Sequence, residues 1–196
     1  MIVSPLIDAI CDSWRELANL IASHPWSEPR GRRKEPILVE RLRGILAKND
    51  ASVEMEPEVK FDSWYVDLVC TLGSERIAVE AKYKTNQDGA VPDNRKAAFF
   101  DLHKLETYVS SGEYSAGLFL WLTNNRSYLR QASGDSSEFS TDTGRIYNGG
   151  DQLNARRFRN NDMPIPLILN GDYVFEWQQV TPESAWHTLI IPVRKG

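Results

Sequence analysis

Residues 64–84 read WYVDLVCTLGSERIAVEAKYK, and this stretch decides the fold. Two mostly apolar runs, residues 64–72 and 76–84, lie on either side of the turn-forming pair Gly73-Ser74. Short runs rich in β-branched and aromatic residues, joined through a glycine-containing turn, are typical of β-hairpins. The pattern therefore predicts two antiparallel strands connected at Gly73-Ser74.

Two acidic residues stand inside these runs, where carboxylates are energetically expensive. A hairpin turning at Gly73-Ser74 places Asp67 and Glu80 nearly opposite each other. Side chains alternate between the faces of a strand, so Glu80 and Lys82 point to the same side. Facing acids repel, and burying either one unpaired costs several kcal/mol. A divalent cation between them, helped by the lysine, resolves both problems; the alternative is a solvated cross-strand charge cluster.

Segments with helical and strand periodicity surround the hairpin. Ser4 and Pro5 are typical of a helix start, and apolar residues at helical spacing extend this helix to about residue 23. The other predicted elements are a helix over residues 35–49, a strand over 53–61 interrupted by Pro57, a helix over 95–109 and a buried strand over 117–123. This order predicts an α/β fold in which helices flank a mixed sheet.

The C-terminal third is harder to assign. Residues 128–161 are rich in Ser, Gly, Asp and Asn with few apolar anchors, which predicts a long functional loop with short structured pieces. The sequence predicts further short strands or extended segments over residues 167–169, 173–178 and 188–193. Because no linker or repeat divides the chain, we expect one domain over residues 1–196. Its compact core spans about 35–123, and its irregular C-terminal part spans about 124–196.

Composition excludes several classes of protein. With 196 residues, 41% of them hydrophobic and 26% charged, the chain is typical of a folded domain. We expect a soluble, cytoplasmic protein, because no apolar run approaches the roughly 20 residues of a membrane span and the start does not resemble a signal peptide. Two cysteines, Cys11 and Cys70, cannot form a disulfide framework or a four-ligand zinc site alone. The sequence has no Gly-rich phosphate loop, no Gly-x-Ser-x-Gly elbow and no His-Glu-x-x-His pair.

Asp67, the twelve-residue gap and Glu80-Ala81-Lys82 resemble the motif of the PD-(D/E)XK nuclease superfamily. The resemblance covers about residues 35–123, and the sequence departs from the eponymous pattern in having Val66 rather than proline before the aspartate. It implies a restriction-endonuclease-like mixed β-sheet flanked by helices. It also implies a Mg²⁺- or Mn²⁺-dependent DNA endonuclease with a restriction or defence role, and a homodimer is a further expectation. The alternative is a catalytically silent DNA-binding or assembly module that retains the fold.

The resemblance also implies roles for individual residues. Asp67, Glu80 and the backbone carbonyl of Ala81 would offer oxygen ligands to Mg²⁺. Lys82 would orient or help deprotonate the attacking water and stabilise the transition state. A further catalytic acid is expected from the preceding helix. Helical phase favours Glu35, on the face of Leu38, Val39 and Leu42, over Glu40; its alternative role is a first-turn acid favoured by the helix dipole.

Basic residues are candidates for nucleic-acid contacts. The net charge of −4 argues against binding by bulk charge, so any DNA affinity must come from local clusters. For Lys104, a helical ion pair with Asp101 is the alternative to a phosphate contact. The candidate nucleic-acid-binding residues are Arg30, Arg32, Arg33, Lys34, Lys84, Lys104, Arg156, Arg157 and Arg159.

Overall fold

The computed structural model describes residues 4–24, 34–154 and 166–195. Its three α-helices in this part of the chain are α1 (Pro5–Ser23), α2 (Lys34–Asn49) and α3 (Val91–Ser111). Two 3₁₀-helices follow at Arg126–Leu129 and Gly134–Phe139. The strands are β1 (Glu54–Phe61), β2 (Trp64–Leu72), β3 (Glu75–Lys84), β4 (Ala116–Thr123), β5 (Arg145–Tyr147), β6 (Gln152–Leu153), β7 (Leu167–Ile168), β8 (Tyr173–Phe175), β9 (Gln178–Gln179) and β10 (His187–Val193).

Six of the described strands form one mixed sheet in the order β1-β2-β3-β4-β10-β9. β3 and β4 are parallel and are connected through α3, whereas the other neighbouring strands are antiparallel. β4 is central, and all eight of its residues are buried. The α/β class with a mixed sheet and helices is therefore confirmed.

The predicted hairpin of β2 and β3 is confirmed. Gly73 supplies the turn with a φ of +60°, and Leu68 lies opposite Val79 at the far end of the ladder. The strands separate beyond this pair, because β2 continues its pairing with β1 alone from Val66 to Trp64. The hairpin therefore opens at Asp67 and Glu80.

The edge strand β1 differs from the prediction of a strand interrupted at Pro57. It continues through Pro57, and its irregular residue is Glu58, with a φ of +52°. The register with β2 passes from Pro57–Leu68 to Val59–Val66 and leaves Glu58 across from Asp67. An edge position tolerates proline, because the missing N–H costs no ladder bond there.

Two apolar layers cover the sheet. One layer packs α1 and α2 against residues such as Ile77, Val79 and Ala81 of β3. The opposite layer packs α3 and the C-terminal segments against residues such as Ala78. Because strand side chains alternate, Glu80 and Lys82 project toward α3.

The start of α1 confirms the predicted cap. The Ser4 hydroxyl accepts the N–H of Ile7 at 3.1 Å, and Pro5 occupies the first turn. The indole N–H of Trp14 donates to the hydroxyl of Thr188 at 2.7 Å, which ties α1 to β10. No helix in the described ranges is both long and apolar enough to span a membrane.

The helix α3 begins four residues earlier than predicted, because Pro92 is compatible with a first turn. It lies close to β4 at Gly117. A methyl group at Gly117 would stand 3.0 Å from Cδ2 of Leu105 and 3.3 Å from Cβ of Val193. The absence of a side chain at this residue therefore sets the distance between α3 and the sheet.

The described part of residues 128–161 contains short structured pieces, as predicted, but its few aromatic residues are more deeply buried than a loop implies. Tyr128, Phe139 and Tyr147 are buried, and Phe99 of α3 contacts Phe139 and Tyr147 with ring centroids 5.5 and 4.8 Å apart. These aromatic residues are widely spaced in a mostly polar stretch and show no helical or strand period. They nevertheless form a cover over α3.

A buried carboxylate also fastens this cover. Glu106 of α3 accepts the backbone N–H groups of Asn170 and Gly171 at 2.8 and 2.7 Å. It also accepts the hydroxyl of Tyr173 at 2.7 Å. These bonds satisfy Glu106 and fix the chain before β8 to the helix.

We expect Phe99→Ala to lower the free energy of unfolding by about 3–5 kcal/mol, because it removes a fully buried ring and leaves a cavity. Leu20→Ala is the matched control: Leu20 is 49% exposed, so its loss should cost less than about 1 kcal/mol. Urea unfolding followed by circular dichroism measures both. Equal losses would contradict the packing role of Phe99.

Candidate functional site

The opening between β2 and β3 is the centre of the candidate site. Here a side-chain oxygen, Oδ2 of Asp67, accepts the backbone N–H of Ala81 at 2.8 Å. The side chain thus satisfies a backbone donor at the point where the β2–β3 ladder ends. This bond holds Asp67 beside Glu80.

Alternating charges connect β3 to α3. Nζ of Lys104 lies 2.8 Å from Oε1 of Glu80 and 3.1 Å from Oδ1 of Asp101. The other carboxylate oxygen of Asp101 lies 2.5 Å from Nζ of Lys82. Glu80 is only 1% exposed, and the other three residues are also buried. The helical Asp101–Lys104 pair expected from the sequence is present, but it is part of this larger network.

Burial and neighbouring charges shift the pKa values of the two β-strand acids in the same direction. Burial raises the pKa of Asp67, despite the hydrogen bond from Ala81. Burial and the adjacent Asp67 carboxylate raise the pKa of Glu80 well above its ordinary value. Lys104 lowers the pKa of Glu80 but does not outweigh burial and the Asp67 carboxylate. The positive charge near the acidic pair is therefore too small to offset its burial.

The remaining members of the network stay ionised. Burial opposes the charge of Asp101, but Lys104 and Lys82 outweigh it and lower the pKa of this carboxyl. Burial likewise opposes the charge of Lys82, but Asp101 and Glu35 outweigh it, so the pKa of the amine is raised. The pKa of Lys104 is raised as well, since Asp101 and Glu80 outweigh its burial. Both lysines are thus ammonium ions at neutral pH.

The two candidate acids of α2 lie in different surroundings. Oε1 of Glu35 is 2.6 Å from Nζ of Lys84. Lys84 lies two residues after Lys82 on β3, so strand alternation puts the two lysines on the same face. Glu40 pairs with Arg43 on the surface, and its side chain is 70% exposed. The helical phase thus brings Glu35, rather than Glu40, to the end of β3.

A cavity of about 200 Å³ gives access to Asp67 from the side of β1 and α2. It lies where Glu58 breaks the regular edge of the sheet. Glu40 also borders this cavity, a position that the helical-phase argument did not predict. Its lining residues are Pro36, Val39, Glu40, Pro57, Glu58 and Asp67.

Side chains alone do not build a complete metal site here. Among the described residues, no group of three or more His, Cys, Asp or Glu side chains is arranged to hold a metal ion. The available donors are the carboxylates of Asp67 and Glu80 and the backbone carbonyl of Ala81. Mg²⁺ in phosphate-processing sites often has one or two carboxylates as protein ligands and completes its shell with waters and substrate phosphates.

The candidate nucleic-acid-binding residues are only partly described. Lys34 bonds to Thr85 and Asp88 at 3.1 and 3.2 Å, and Lys84 pairs with Glu35. Lys104 is buried in the ion-pair network, so a phosphate contact would first require its present pairs to break. Arg30, Arg32, Arg33, Arg156, Arg157 and Arg159 lie outside the described residues.

Sequence reasoning placed Asp101 and Lys104 in a local ion pair and did not connect them to Glu80 and Lys82. A signal for this connection was present in the sequence. Asp101 lies one turn before Leu105, and Lys104 one turn before Tyr108, so both charged residues share helical faces with core residues. A charged residue within a buried helix face indicates an oppositely charged partner across the core. Asp67 is the same kind of signal within a buried strand.

Comparisons of the chain with protein-family models, curated proteins and solved structures find no significant match.

We expect Asp67→Asn to make the metal-free protein more stable above the ordinary carboxyl pKa of 3.8. Because the folded-state pKa of Asp67 is raised, the wild type loses stability as the pH rises from that value through the folded-state pKa. Asparagine removes this loss and still accepts the N–H of Ala81. Urea unfolding with a chelator, at about pH 4 and about pH 8, measures the difference.

The gain in stability should be present at the higher pH and should shrink at the lower one. Glu54→Gln, which neutralises an exposed carboxylate of β1, is the control and should follow the wild type. A variant of Asp67 that is less stable than wild type at about pH 8 would contradict the unfavourable burial of this acid.

Proposed function

We propose that this chain is a metal-dependent phosphodiesterase, a Mg²⁺- or Mn²⁺-dependent endonuclease that hydrolyses DNA. The observation that carries the proposal is the position of Asp67 and Glu80. They lie side by side where β2 and β3 separate, and Lys82 is on the same face of β3 as Glu80. This is the spatial arrangement that the motif resemblance implies.

The order of elements supports the same proposal. A helix carrying Glu35 precedes the strands that carry Asp67 and Glu80, and a helix and a buried parallel strand follow them. The resemblance implies this order over residues 35–123. A restriction-endonuclease-like fold is therefore part of the proposal.

The electrostatics of the acidic pair suit a divalent cation. Both have raised pKa values: burial and, to a smaller extent, Asp101 raise that of Asp67, and burial and the Asp67 carboxylate raise that of Glu80. A cation between them would relieve both effects. Asp67, Glu80 and the carbonyl of Ala81 would hold it, leaving further coordination positions for waters and a phosphate. When bound, Mg²⁺ neutralises charge on the phosphate and acidifies a water.

Lys82 acts in this mechanism as a cation. Asp101 fixes its ammonium group at 2.5 Å and helps to raise its pKa, which disfavours a role as general base. The ammonium can donate hydrogen bonds to the attacking water or to a phosphate oxygen and stabilise the charge of the transition state. Asp101 positions this group without contacting the substrate.

Glu35 lies at the end of β3 and contributes negative charge near Lys82. We assign to it a role in orienting Lys82 and the water rather than in holding the cation. DNA as the substrate, and a restriction or defence role, follow from the motif resemblance and from the basic clusters of the sequence.

A catalytically silent DNA-binding or assembly module is the second candidate, and one observation favours it. Glu80 already has Lys104 as a partner, and Lys82 already has Asp101. Such pairs can hold the two halves of a fold together without any cation. DNA binding without cleavage under every metal condition would support this second function.

We expect wild-type protein to cleave DNA with Mg²⁺ or Mn²⁺ and to be inactive with a chelator. Asp67→Ala and Glu80→Ala should abolish cation binding and cleavage, whereas Lys82→Met should bind the cation but lose cleavage by at least about a hundredfold. Isothermal titration calorimetry measures binding. Gel assays on supercoiled, linear and single-stranded DNA measure cleavage.

Glu58→Gln is the matched control, since it removes a carboxylate that borders the same cavity outside the acidic pair. It should retain both cation binding and cleavage. Unchanged cation affinity in a folded Asp67→Ala or Glu80→Ala variant would refute the metal site. Cleavage by Lys82→Met at the wild-type rate would refute the role of the lysine.

We expect Glu35→Gln to lower cleavage at least about tenfold. The change removes the negative charge that acts on Lys82, and it also removes the ion-pair partner of Lys84. Glu40→Gln should leave cleavage nearly unchanged, since it disrupts only an exposed pair with Arg43. Initial rates on plasmid DNA measure both variants. The reverse order of effects would show that Glu40, through the cavity beside Asp67, supplies the catalytic acid.

A further inference from the structure

Lys104 contacts the acidic pair from outside the motif. Its ammonium lies 2.8 Å from Glu80, close enough for a hydrogen bond, and 3.1 Å from Asp101. Lys82, the lysine of the motif, lies 2.5 Å from Asp101. Glu80 is thus compensated by a lysine of α3.

The buried network around Lys104 has more acidic than basic groups. Asp67, Glu80 and Asp101 supply three carboxylates, whereas Lys82 and Lys104 supply two ammonium groups. With all five ionised, one negative charge is uncompensated. A divalent cation would overcompensate this charge while Lys104 remains on Glu80, and like charges held at close range in a buried site repel strongly.

Lys104 keeps a partner when it leaves Glu80. Asp101 already lies 3.1 Å from its ammonium, so release from Glu80 does not leave a buried lysine unpaired. The release needs only a small change in a flexible side chain. An unpaired buried ammonium would instead carry a large desolvation cost.

We propose that Lys104 is the resident counter-cation of Glu80, and that a divalent cation competes with it for this carboxylate. Lys104 thereby sets the cation affinity of the site. This inference rests on the proposed metal-dependent function, because it concerns the same acidic pair. It assigns to α3 a residue that determines affinity and lies outside the motif.

The test compares the cation affinity of wild type and Lys104→Met by calorimetric titration with Mg²⁺ and Mn²⁺. Methionine keeps most of the side-chain volume and removes the charge. We expect at least about tenfold tighter binding in the variant, because a close positive charge is lost. Lys48→Met, the same change at an exposed lysine of α2, should bind as wild type does.

The outcomes separate the inference from the function on which it rests. If wild type binds the cation and folded Lys104→Met binds it equally or more weakly, Lys104 is not a competitor, but the metal site stands. If neither protein binds the cation, the proposed metal site fails and the inference fails with it. Tighter binding by Lys104→Met alone supports the inference.

A measurement on wild type covers the case in which Lys104→Met does not fold. Crystals grown with Mn²⁺ locate the ion by its anomalous scattering and show the position of Lys104. We expect the 2.8 Å contact with Glu80 to be broken and the contact with Asp101 to persist. Mn²⁺ bound between Asp67 and Glu80 with the Lys104–Glu80 contact intact would overturn the inference.

Discussion

The separation of β2 from β3 is the constraint on which the rest of the site depends. If the ladder continued past Leu68 and Val79, backbone bonds would hold the strands together at Asp67. The side chain of Asp67 instead accepts the N–H of Ala81, and β2 turns away with β1. The same separation leaves a buried acidic pair whose Glu80 is paired with Lys104 of α3, while a cavity on the side of β1 and α2 reaches Asp67.

The ion pairs of this site bear both on the packing of the fold and on the proposed chemistry. The pairs Lys82–Asp101 and Lys104–Glu80 connect the sheet to α3 across an otherwise apolar layer. Replacing such a network by apolar residues is often neutral or stabilising, so stability alone does not explain its presence. Two desolvated acids beside a lysine are, however, the groups that the proposed hydrolysis with a divalent cation would use.

The local sequence pattern predicted the hairpin of β2 and β3, but it predicted few of the residues that pack against this hairpin. The period of two residues and the turn at Gly73 located Asp67 and Glu80, since both signals lie within one short stretch. The partners of the motif depend on how distant segments pack: Lys104 is 24 residues beyond Glu80, and Lys84 is 49 residues beyond Glu35. The buried aromatic residues after β4 were missed because they follow no period.

The contact at Gly117 has an electrostatic consequence. Leu105 rests against the bare backbone of β4, one residue after Lys104 on the same helix. One residue of slip along α3 would rotate its side chains by about 100° and shift them by about 1.5 Å, which is enough to carry an ammonium group out of reach of its carboxylate. The missing methyl group of Gly117 in β4 thus helps to keep Lys104 of α3 aligned with Glu80 of the neighbouring strand β3.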